Sequence, residues 1–125
     1  MGRQKKNKME LVAYLGTDKE NWGQVTALIN RYEWERIFIV RNKNAETFVP
    51  SKECEFLNVN SERPLIELKK EIMDNLRNKL GGFEVALSIA SGNGKEHMAL
   101  ISALLSIPVG IRLAVFTKEG IEFIN

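Results

Sequence analysis

Apolar positions along the chain fall into two rhythms: short continuous runs, and longer stretches in which they recur every three or four residues. Leu11–Leu15 (LVAYL) is a continuous run ending at Gly16, as expected for a strand covered on both faces. Thr17-Asp18-Lys19-Glu20 then has the form of a capping box, and Trp22, Val25, Leu28, Ile29 and Tyr32 repeat behind it at helical spacing. Arg36–Val40 (RIFIV) predicts a second buried strand, polar Arg41–Lys52 with Pro50 a loop, and Glu55–Val59 (EFLNV) a third strand. Pro64 suits a first helical turn, and Leu65, Leu68, Ile72, Leu76 and Leu80 mark one face of a long helix stopped by Gly81-Gly82. Val85–Ile89 (VALSI) predicts the fourth strand. Asn93 with Glu96 repeats the capping pattern before a third helix, Gly94–Leu105, apolar nearly all round and so expected to be buried on more than one side. Ile111–Phe116 and Ile121–Ile124 are the last strands, joined by a tight turn at Thr117–Gly120.

Strands alternating with helices imply an α/β, Rossmann-like sheet, mostly parallel, with helices on both faces and right-handed crossovers. The expected strand order is 3-2-1-4-5-6, with the last strand antiparallel in a C-terminal hairpin.

Composition narrows the class. At 125 residues the chain is expected to hold one domain, residues 9–125, behind a basic flexible tail at residues 1–8 that carries Arg3, Lys5, Lys6 and Lys8. A net charge of +2 gives no strong case for nucleic acid, and the tail is expected to solvate rather than bind DNA directly. No run reaches the roughly 20 apolar residues of a membrane span, and the N-terminus lacks the apolar core of a signal peptide, so a cytoplasmic protein is expected. One cysteine, Cys54, and one histidine, His97, exclude an internal disulfide and a Cys/His zinc site within one chain. No metal or cofactor is expected.

In open α/β sheets ligands bind beyond the carboxyl ends of the strands, where the strand order reverses. The loops that would flank this place are Gly16-Thr17-Asp18 and Ser91-Gly92-Asn93-Gly94-Lys95, each short, rich in glycine and hydroxyls, and each opening a helix. Two helix N-termini facing one crevice would suit a phosphate or phosphodiester. Lys95 either reaches that anion or stands in solvent; a cation opposes the dipole there, which favours the ligand role. Ser91 is a candidate hydrogen-bonder, Thr17 a cap or a ligand contact, and Asp18 a ribose partner or a helix-start stabiliser. His97, Trp22, Tyr32 and Trp34 read first as packing residues. Walker A chemistry is rejected, because Glu96 follows Gly94-Lys95 and Ile89 holds the place of the first glycine. Nor does a GxGxxG follow the first strand.

The segment from Val85 to Leu100, an apolar strand, the turn Ser91-Gly92-Asn93-Gly94-Lys95 and a helix of small residues, resembles the CRISPR-associated Rossmann fold (CARF) family. That family's turn often reads Thr-Gly-Gly-Thr-Lys, and here Asn93 and Gly94 stand at its centre. Element order resembles the family from about Met9 onward. The resemblance implies a homodimer that binds cyclic oligoadenylate, the messenger of type III CRISPR antiviral defence, across a two-fold axis. It implies a minimal standalone sensor or a metal-independent ring nuclease, in which a ribose 2′-hydroxyl attacks the adjacent phosphorus to leave a 2′,3′-cyclic phosphate. Lys95 and the amides of Gly92–Gly94 would stabilise the phosphorane, and Ser91 or Thr17 would position it. The alternatives are the sensor part of a transcriptional regulator whose DNA-binding domain lies elsewhere, and a nucleotide-binding Rossmann-like domain outside CRISPR defence.

Overall fold

The computed structural model describes residues 9–125; the basic tail expected at residues 1–8 lies outside them. Six strands, β1 (Glu10–Leu15), β2 (Ile37–Asn42), β3 (Glu55–Val59), β4 (Glu84–Ser88), β5 (Gly110–Thr117) and β6 (Gly120–Phe123), form one sheet in the order β3-β2-β1-β4-β5-β6. All neighbours are parallel except β5 and β6, and Leu11 stands opposite both Ile37 and Ala86. The α/β class and strand order therefore match the sequence pattern.

Strand β1 is central, and each of its six residues is buried. Leu11, Ala13 and Leu15 point to the face covered by α1 (Trp22–Asn30) through Val25, Leu28 and Ile29. Val12 and Tyr14 point to the other face, under α2 (Leu65–Leu76) and α3 (Gly94–Ser106). Because β1 leads to β2 on one side and β4 leads to β5 on the other, the strand order reverses between β1 and β4. The loops after these two strands lie side by side there.

Several boundaries move for physical reasons. The capping box expected at Thr17–Glu20 does not form: Lys19–Asn21 makes a 3₁₀ turn, α1 starts only at Trp22, and exposed Thr17 caps nothing. Asp18 has turned its carboxylate toward other partners. Helix α2 ends at Leu76 rather than Leu80, although Leu80 still packs on the core. Strand β2 runs on to Asn42, into what reads as loop. Helix α3 is buried on one face only, through Ala99, Leu100, Ala103 and Leu104; Met98 and Leu105 stay 58% and 65% exposed. No helix among the described residues is long and apolar enough to cross a membrane.

Candidate functional site

The two glycine loops do not face each other across an open crevice. They touch. A Cβ placed on Gly16 would come within 2.8 Å of the Gly92 Cα, so Gly16 is needed for this close approach. Ser91, buried, bridges the pair: its Oγ accepts the Gly16 N–H at 2.9 Å and donates to Asp18 Oδ1 at 2.7 Å. The same Asp18 oxygen accepts the Gly92 N–H at 3.0 Å, and Asn21 Nδ2 donates to Asp18 Oδ2 at 2.8 Å. Partial burial pushes the Asp18 carboxyl upward, but the bonds from Asn21, Ser91 and Gly92 outweigh it and hold the group below its ordinary value. The anion between the loops is thus supplied by the chain itself.

This placement redistributes the expected roles. Ser91 has its only hydroxyl proton on Asp18, so a ligand or catalytic contact through that proton requires the pair to open. The Gly92 amide is likewise taken. Asn93 caps α3 as the sequence suggests, its Oδ1 accepting from the Glu96 N–H while Glu96 Oε1 accepts from the Asn93 N–H. The amides of Gly94 and Lys95 make no hydrogen bond to the described residues, and both residues are exposed at the positive end of the α3 dipole. Lys95 Nζ donates to the Ser61 carbonyl at 2.9 Å, so this side chain lies over the connection from β3 to α2 rather than between the glycine loops.

Below the loops runs a buried polar chain that the sequence reading missed. Tyr14 donates to Asn42 Oδ1 at 2.7 Å, and Asn42 Nδ2 donates to Glu96 Oε2 at 2.8 Å. Burial, then the nearby carboxylates of Glu96 and Glu71, pushes the Tyr14 phenol well above its ordinary value, so it stays a neutral donor. Together these residues tie the ends of β1 and β2 to the start of α3. The signal for them was the single phenol in an otherwise aliphatic strand, since a buried tyrosine hydroxyl needs a partner.

His97 lies beside the loop, its Nε2 2.7 Å from the Ser91 carbonyl oxygen. Gly92 has φ +106°, and a Cβ there would come within 3.0 Å of Glu96 Oε1, His97 Nε2 and Tyr14 Cδ1. Trp22 hydrogen-bonds the Gly16 carbonyl through Nε1 and packs edge-on against Phe48, while Trp34 bonds the Leu28 carbonyl. These two indoles brace the scaffold. Cys54 is half-buried at the far end of the sheet, its thiol pushed up by burial.

No protein-family model matches the chain, and no curated protein matches it either.

Proposed function

We propose that the chain binds cyclic oligoadenylate over the start of α3, with a phosphodiester on the free amides of Gly94 and Lys95 and the Lys95 ammonium beside it. The observation that carries this reading is the pair of unpartnered amides at the positive end of a thirteen-residue helix, next to the reversal of strand order. The CARF-like segment from Val85 to Leu100 supplies the ligand class. Exposed Thr17 and half-buried Asp18 flank the contact between the loops, and Asp18 Oδ2, which already accepts from Asn21, would take a ribose hydroxyl as a second donor.

Two copies would match a ring of even symmetry. Support for a homodimer comes from α3, whose Met98 and Leu105 lie outward and would be covered by a second molecule. On this reading the protein would meet its nucleotide in the cytoplasm.

Incubation with cyclic tri-, tetra- and hexaadenylate tests the reading. One of the rings should bind at micromolar concentration or tighter, and light scattering should give twice the 14.2 kDa chain mass. Failure to bind any ring removes the proposal.

A further inference from the structure

Resting on that reading, we infer that His97 is the proton acceptor for cleavage of the bound ring, with its Nδ1 facing the ribose 2′-hydroxyl. His97 Nε2 lies 2.7 Å from the Ser91 carbonyl oxygen. A carbonyl oxygen offers only lone pairs, so Nε2 must carry a hydrogen. A neutral imidazole has one ring proton, and the basic lone pair is thereby assigned to Nδ1. This nitrogen makes no hydrogen bond to the described residues, and it is not among their buried unpaired atoms, so it reaches solvent.

Tyr14 meets the imidazole edge-on, with centroids 6.4 Å apart and planes at 81°, and a Cβ on Gly92 would come within 3.0 Å of both Nε2 and Tyr14 Cδ1, so the imidazole is packed closely at that end. His97 also lies three residues after Gly94, which puts both on one face of α3 beside the free amides.

Other acceptors nearby are occupied or shut away. Both Glu96 oxygens accept bonds from within the protein, from Asn93 and Asn42. Asp18 is bonded by Ser91, Gly92 and Asn21, while Oε1 of Glu71, on α2, is closed off from solvent and lies 4.0 Å from Arg63 Nε. Tyr14 is a neutral donor to Asn42.

The step balances without a metal or a redox partner. The 2′-hydroxyl proton passes to Nδ1, the 2′-oxygen–phosphorus bond forms, and the phosphorus–5′-oxygen bond breaks. The departing 5′-oxygen takes a proton from water, the hydroxide so formed takes the proton from Nδ1, and the product ends in a 2′,3′-cyclic phosphate. Charge that builds on the phosphorane falls beside the Gly94 and Lys95 amides.

The test compares the full chain with His97→Gln, measuring ring binding and ring cleavage separately with cyclic tri-, tetra- and hexaadenylate. Glutamine keeps an N–H for the Ser91 carbonyl but has no basic nitrogen. His97→Gln should bind within about threefold of the parent and lose cleavage by about a hundredfold or more. Cleavage by His97→Gln at the parent rate, or a parent that binds a ring and leaves it intact, would overturn the role of His97. A parent that binds no ring overturns the underlying reading itself.

Discussion

Ser91 Oγ and Asp18 Oδ1 lie 2.7 Å apart, although 73 residues separate them in the chain. This one contact joins the loop after β1 to the loop after β4. Ser91→Ala would remove the donor to Asp18 and leave the buried Gly16 N–H unpaired. The expected loss is about 1–3 kcal/mol of folding stability, measurable by urea denaturation. Ser91→Thr keeps the hydroxyl but adds a methyl to a fully buried site, so it should recover only part of the loss.

Asp18 sets a pH dependence with a definite sign. Its carboxyl is held below the ordinary value of 3.8, so at acid pH the unfolded chain binds the proton more readily than the folded one. The contribution of Asp18 to stability is present in full above about pH 5, and it fades as pH falls through the value in the folded state. Denaturation midpoints measured from pH 6 down to about 2 should fall less steeply in Asp18→Asn than in the parent. Equal slopes would mean that the hydrogen bonds to Asp18 do not favour its charged form.

Two glycines with nearly the same backbone angle should respond differently to substitution. Gly92 at φ +106° has three side-chain atoms within 3.0 Å of a would-be Cβ, whereas Gly120 at φ +107° has none within 4 Å. Gly120→Ala should cost about 1–2 kcal/mol, the conformational penalty alone. Gly92→Ala adds a collision with Tyr14, Glu96 and His97 and should cost distinctly more. Thermal unfolding of the pair separates strain from crowding.

Lys95→Ala isolates the cation from the fold. The side chain is exposed, and its one bond is to a carbonyl on the neighbouring connection, so the melting temperature should hardly change. Binding of cyclic oligoadenylate should weaken by about 1.5–3 kcal/mol, roughly tenfold to a hundredfold, as titration of ligand into protein would report. An unchanged affinity would place the phosphodiester elsewhere.

The strands and helices were legible because burial leaves a periodic mark. LVAYL, RIFIV and VALSI must be apolar on both faces to lie inside a parallel sheet, and the leucines of α2 must recur at helical spacing to face it. The Asn93–Glu96 cap was legible too, since both partners lie within one turn. The Thr17–Glu20 pattern has the same local form and did not become a cap. Asp18 found stronger partners across the sheet, in Ser91 and Gly92, and drew the turn into a 3₁₀ form. The Tyr14–Asn42–Glu96 chain was equally hidden, because its members stand on three separate elements. Residue order therefore decided which segments are strands, which are helices, and which loops share an end of the sheet. Which polar groups satisfy one another, and which amides of α3 are left free, was decided only when tertiary packing brought those loops into contact. A buried polar group takes whatever partner the fold delivers, and sequence distance does not limit that choice.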